Sequence, residues 1–211
     1  MRVAALVVIA GCGRVGFEPN ERCATAVFTN PAASSIVDDF SAGALGSAWM
    51  RNDTCITETG GELVATPPAS GNYCFAYTAQ TYHLSCDSVT VEVPEVVAAE
   101  LGAQTLIYVT GGGMELNLLL EGAGFQLGGP DDLRAGEQIV RADKWWRLAE
   151  SDGTLSFSTS PDGTTWTTLG SGADPFSLDE VGISIGAGTY EQVANPGEAR
   201  FHCYNKPPPC S

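Results

Sequence analysis

From about residue 36 to residue 205 the chain alternates apolar and polar positions with the period of an extended strand, side chains pointing in turn to opposite faces. Residues 62–66, 88–93, 105–110, 154–159, 181–186 and 198–204 are rich in β-branched, leucine and aromatic side chains. In 114–121, Met114, Leu116, Leu118 and Leu120 share one face, and Glu115, Asn117, Leu119 and Glu121 share the other. Turn signals separate the strands: Gly60-Gly61, Gly111-Gly112-Gly113, Gly122-Ala123-Gly124, Asp152-Gly153 and Pro161-Asp162-Gly163. The helix-compatible stretch 93–102 contains Pro94 and reads as a strand end followed by a turn of helix. Many short strands with tight turns and no helical spacing predict an all-β sandwich or barrel. Its first and last strands are expected to be neighbours, as in jelly rolls. No repeat of 20–50 residues occurs, which excludes a propeller or solenoid.

The ends differ from this body. Residues 1–11 carry one positive charge, a short apolar run and small residues, the layout of a secretory signal. Residues 12–35 are aperiodic and read as a tether, and 206–211 as a Pro-rich tail that cannot enter a sheet interior. No apolar run long enough to span a bilayer as a helix is present. With 25 acidic and 10 basic residues among 211, the formal net charge is −15, which argues against a nucleic-acid partner. Seven cysteines point to an oxidising compartment.

Setting Cys12 aside leaves Cys23, Cys55, Cys74, Cys86, Cys203 and Cys210 for bridges. Cys55 and Cys74 flank a hairpin-like block and suit a local bridge. Cys86 begins one strand and Cys203 ends another, so antiparallel pairing would join them, leaving Cys23 for Cys210. Zinc is disfavoured, because no Cys-x-x-Cys or His-x-x-x-His spacing occurs and His83 and His202 stand alone.

Val8-Ile9-Ala10-Gly11-Cys12 resembles the lipobox of bacterial lipoproteins. That resemblance implies cleavage before Cys12, lipidation of its sulfur, and a membrane anchor in the cell envelope. Gly13 at the following position implies sorting to the outer membrane. Asp38-Asp39-Phe40 with Gly46-Ser47-Ala48-Trp49 resembles the opening of concanavalin A-like lectin/glucanase domains. Lys144-Trp145-Trp146-Arg147-Leu148, an Asp-Gly turn and Ser158-Thr159-Ser160-Pro161-Asp162-Gly163-Thr164-Thr165-Trp166 resemble that superfamily's laminin-G-type hairpin. The resemblance covers residues 36–205 and implies a two-sheet antiparallel jelly roll, a scaffold that hosts lectins, hydrolases and adhesion modules.

Laminarinase-type members carry a Glu-x-Asp-x-x-Glu strand. The nearest run here, Glu150-Ser151-Asp152-Gly153-Thr154-Leu155, has Leu155 at the acid/base position, and its Asp-Gly reads as a hairpin turn. No catalytic residue is assigned, and the chain is expected not to be an enzyme. Asp38, Asp39, Asp131 and Asp132 are hard oxygen donors open to Ca²⁺, with solvated turns as the alternative. A sugar site needs an aromatic platform beside planar polar groups. Strand parity puts Trp146 with Leu148 in the core and Trp145 with Arg147 outside, joined by Tyr108 and Glu115 if their strands share the concave sheet. The expected function is a lipid-anchored surface protein with a non-catalytic sandwich binding a glycan. The alternatives are a polysaccharide hydrolase on the same fold and an adhesion module for an envelope protein.

Overall fold

The computed structural model describes residues 21–98, 100–122, 124–129, 139–140 and 143–209. Cys12, Asp131, Asp132 and Cys210, with the expectations placed on them, lie outside the described residues.

The protein is a two-sheet antiparallel jelly-roll sandwich of the concanavalin A-like type. One sheet runs β1 (Trp49–Arg51), β4 (Tyr73–Thr78), β13 (Gly182–Thr189), β6 (Ala103–Gly111), β7 (Met114–Glu121), β8 (Gly124–Gly128), β9 (Ile139–Val140). The second runs β12 (Thr167–Ala173), β11 (Thr154–Ser160), β10 (Trp145–Ser151), β5 (Ser88–Glu95), β14 (Ala199–His202), β3 (Glu62–Ala65), β2 (Ile56–Thr59). A short helix, α1 (Glu21–Thr25), precedes the sandwich.

The alternation in the sequence becomes the core. Ile107 and Val109 of β6, with Leu116, Leu118 and Leu120 of β7, face Val89 and Val91 of β5, Trp146 and Leu148 of β10, and Leu155 and Phe157 of β11. Burying each such side chain contributes roughly 1.5–3 kcal/mol. The Trp146 ring meets Phe125 edge-on at 5.0 Å across the sheets. Met114 departs from the expected row: it sits at the strand start and is exposed. The stretch after Pro94 forms no helix among the described residues; β5 ends at Glu95.

The two ends of the sandwich meet. Asp38 and Tyr204 form an antiparallel bridge. Asn205 holds three segments together, donating from Nδ2 to the carbonyls of Ala33 and Ile36 and accepting from the Thr90 N–H.

The disulfides only partly follow the expected pattern. Cys55–Cys74 is present, but Cys23 is bonded to Cys86. Cys86 is therefore not paired with Cys203, and Cys23 is not paired with Cys210. β5 and β14 do pair antiparallel, yet their register sets His202 opposite Glu92. Cys203 thus lies about 16 Å of strand away from Cys86. Cys86 instead lies beside the β10–β11 turn, where Asp152 Oδ1 accepts from the Cys23 N–H and fixes α1. Cys203 is disulfide-bonded as well.

Candidate functional site

The outer face of the first sheet carries a groove of about 280 Å³ lined by Tyr73, Phe75, Gln104, Leu106, Tyr108, Glu115, Asn117 and Leu119. Register explains its composition. On β13 the positions between Tyr73/Phe75 and Gln104/Leu106 are Gly188 and Gly186. A Cβ at Gly186 would strike the Cys74 carbonyl oxygen, and one at Gly188 the Tyr73 ring. With no side chain at these two positions of the central strand, the rings of β4 lie over it. Tyr73 and Phe75 stack at 5.7 Å and 5°, and Phe75 stacks on Tyr108 of β6 at 5.8 Å and 20°. Leu106 and Leu119 form the buried apolar floor beneath them.

Polar groups edge this row. The Tyr73 hydroxyl meets Gln104 Oε1 at 2.6 Å. Glu121, buried at one end, accepts hydrogen bonds from the Gly102 N–H, Gln104 Nε2, Gln126 Nε2 and the Tyr190 hydroxyl. Burial pushes the Glu121 carboxyl up, but these donors outweigh it and hold it below the ordinary glutamate value. The same bond, with lesser help from burial, raises the Tyr190 hydroxyl to about 12. At the other end, burial first and a hydrogen bond to Glu115 second push Tyr108 well above the ordinary tyrosine value. Beyond Glu115, whose partner on β6 is Thr110, the surface opens into a recess of about 620 Å³ lined by Gly111, Gly112, Gly113, Asp179 and Glu180 among others.

The four ligand candidates from the sequence are thus divided. Tyr108 and Glu115 share the groove, whereas Trp145 and Arg147 lie on the outer face of the second sheet. Trp145 points outward as parity requires, but it is only 3% exposed. The Asp162-Gly163 hairpin and Pro208 cover it: an ideal Cβ on Gly163 would sit 2.9 Å from the Trp145 ring and 3.0 Å from Pro208. Trp145 is therefore no open platform. Trp166 lies under the Arg147 guanidinium, whose carbon is 4.2 Å from the ring centroid.

The carboxylates read as turn residues behave as such. Asp162 accepts from the N–H groups of Thr164 and Thr165, its hairpin's backbone, and is held well below the usual carboxylate range. Asp152 and Gly153 both take positive φ in the β10–β11 turn. Glu150 is buried and accepts from the N–H groups of Cys86 and Gly153. Among the calcium candidates, Asp38 accepts from the Phe40 N–H, and Asp39 is ion-paired with Lys206 at 2.8 Å. The Lys206 bond, then those from Ser41, hold Asp39 well below the usual carboxylate range. Among the described residues, two three-donor clusters, Cys23/Cys86/Glu150 and Glu92/His202/Cys203, have metal-like spacing. Their sulfurs are all in disulfides, so neither presents a thiolate.

Tyr73, Phe75 and Gln104 of the groove, with Glu121, Gln126 and Tyr190 at its edge, are residues that the sequence did not single out. Two signals were available: the alternating Tyr73-x-Phe75-x-Tyr77, and the glycines at 182, 186 and 188 on one face of a strand.

No family model and no curated protein matches the sequence. Solved structures do match the fold. A β-glucanase from Bacillus licheniformis superposes with a TM-score of 0.60 at 12% identity, covering 80% of this chain and 95% of that one. A β-1,3-1,4-glucanase (lichenase) from a mouse hindgut metagenome gives 0.57 at 12%, covering 82% and 98%. An immunostimulatory antigen and pseudo β-1,3-glucanase of Mycobacterium tuberculosis gives 0.55 at 11%, covering 81% and 95%. At these identities the likeness defines the fold, that of the concanavalin A-like glucanases. It also corrects the expectation that the chain is no enzyme. That expectation rested on one missing motif, and the same sandwich carries glucanases among its structural neighbours.

Proposed function

We propose that the chain is a polysaccharide-active protein of the glycoside hydrolase kind, holding a glycan segment along the groove of the first sheet. The observation that carries this reading is the Tyr73–Phe75–Tyr108 row laid across side-chain-free Gly186 and Gly188. Its faces suit the C–H faces of successive sugar rings, and Gln104, Asn117 and Gln126 suit their hydroxyls. The carboxylates divide by environment. Glu121, locked by four donors, is a charged hydrogen-bond anchor for the aromatic row. Glu115 and Glu121 stand six residues apart on one strand, roughly 20 Å, too far to flank one scissile bond. Cleavage therefore belongs at the Glu115 end, where Asp179 or Glu180 of the adjoining recess supplies the second carboxylate.

Incubation of the full chain with a panel of mixed-linkage β-glucan, laminarin, galactan and mucin glycans tests this, with reducing ends measured. Turnover on one polymer is expected, reduced at least about 100-fold by Glu115→Gln with binding retained. Absence of both turnover and binding across the panel defeats the reading. The resemblance of residues 8–12 to a lipobox supports a second part of the proposal, that Cys12 carries lipid and holds the domain in the cell envelope. Cys12→Ser is expected to move the protein from the detergent to the aqueous phase on partitioning.

A further inference from the structure

The outer face of the second sheet holds a cation that has no counter-ion among the described residues. Arg147, on β10, lies between Thr90 of β5 and Ser158 of β11. Its Nε is buried and has no hydrogen-bond partner. The other basic side chains among the described residues are engaged. Arg22 meets Glu150 and Asp174, Lys144 meets Glu92, Lys206 meets Asp39, and Arg200 meets Glu62, Glu95 and Glu198. Arg51 donates to the Ile56 carbonyl. In a chain with 25 acidic residues, partners are abundant. The carboxylate in the adjoining row, Glu92, is already taken by Lys144 and His202.

Removing the Arg147 Nε–H from water without an acceptor is unfavourable, and burial lowers the proton affinity of the group. Stacking on Trp166 offsets part of that loss and holds the fork in one orientation. Such a fork recovers the remainder by binding a planar anion through two parallel N–H···O bonds. Hydroxyls flank it: half-buried Thr90 on one side and, on the other, buried Ser158, which meets the exposed Thr168 hydroxyl at 3.5 Å. A fork held flat on an aromatic ring with threonine hydroxyls beside it matches an acidic sugar, carboxylate on the arginine and ring hydroxyls on Thr90 and Thr168.

We propose that Arg147, stacked on Trp166 and flanked by Thr90 and Ser158, forms a second glycan subsite, specific for a carboxylate-bearing sugar such as a uronic acid and separate from the groove. The groove, with Glu115 and Glu121, repels such a sugar; this face is where the protein receives it. The subsite does not depend on hydrolysis at the groove.

Titration of the full chain with oligogalacturonate, monitored by calorimetry and by thermal melting, tests the proposal. The wild type is expected to bind and to melt higher with ligand, since a ligand of the native state stabilises it by mass action. Arg147→Lys, which keeps the charge and loses the fork, is expected to weaken binding at least about 10-fold. Arg147→Met is expected to abolish both binding and the melting shift while melting cooperatively by itself. Tyr108→Ala, in the groove, is expected to leave uronate binding unchanged, which separates this site from the first. Equal binding by wild type and Arg147→Lys overturns the proposal, and so does loss of uronate binding in Tyr108→Ala. A sulfated glycan that binds where oligogalacturonate does not overturns the carboxylate assignment.

Discussion

The two outer faces of this sandwich are built from the same alternating strands and end in opposite states. On the first sheet, three aromatic rings lie uncovered along a groove, because glycines clear the central strand beneath them. On the second sheet, the aromatic that strand parity turns outward, Trp145, is sealed by a hairpin and the C-terminal Pro208. Parity assigns a side chain to a face; whether that face is open depends on what crosses over it. Charge follows the same division. Glu121 of the groove is supplied with donors, whereas Arg147 Nε of the second face has no acceptor among the described residues.

The largest effect is expected from filling the cleared strand. Gly186→Ala drives a methyl into the Cys74 carbonyl oxygen, and backbone rather than a flexible side chain must move. A loss of about 3 kcal/mol, read from denaturant midpoints, is expected. A change below about 0.5 kcal/mol would mean that the aromatic row does not need a bare strand.

Glu121→Leu is next. It leaves the Gly102, Gln104, Gln126 and Tyr190 donors without their acceptor, for a loss of about 2 kcal/mol and weaker glycan binding. Undiminished affinity would show that Glu121 does not anchor the groove.

The second sheet supplies a pH contrast. Burial first, then Glu150, raises the Asp174 carboxyl to about 6 against the opposing effect of Arg22. A carboxyl raised in the folded state binds more protons there than in the unfolded chain. Stability on this account is greatest below pH 4 and declines as pH rises towards 6. Asp174→Asn is expected to flatten that decline in urea midpoints measured from pH 4 to 7; an unchanged slope would assign it elsewhere.

The smallest effect should come from Pro208→Gly, which uncovers the ring and leaves every cysteine in place. With Pro208 gone, Trp145 becomes partly wet, and its fluorescence is expected to shift to the red with little change in melting temperature. Unshifted emission would mean that the Gly163 hairpin alone covers the ring.

Much of the fold was legible in the chain because alternation is a local property. Leu116, Leu118 and Leu120 announced an inward row, Asp152-Gly153 announced its turn, and the join of the two ends followed from strand-like segments at both. The groove was half legible. Tyr108 and Glu115 were recognised, but the glycines of β13 read as punctuation, although their spacing of two placed them on one face. The cysteine pairing was less legible. Cys55 and Cys74 are near in sequence, whereas Cys23 reaches Cys86 across 63 residues through a helix docked on a distant turn.

The sequence by itself determined the two-sheet alternation, the turns and which side chains face inward, since these depend on period and on residues that are neighbours along the chain. The tertiary structure alone decided which outward residues stay open, which cysteines meet and which charges find partners. Those outcomes depend on register between strands remote in sequence and on the segments that happen to lie over them.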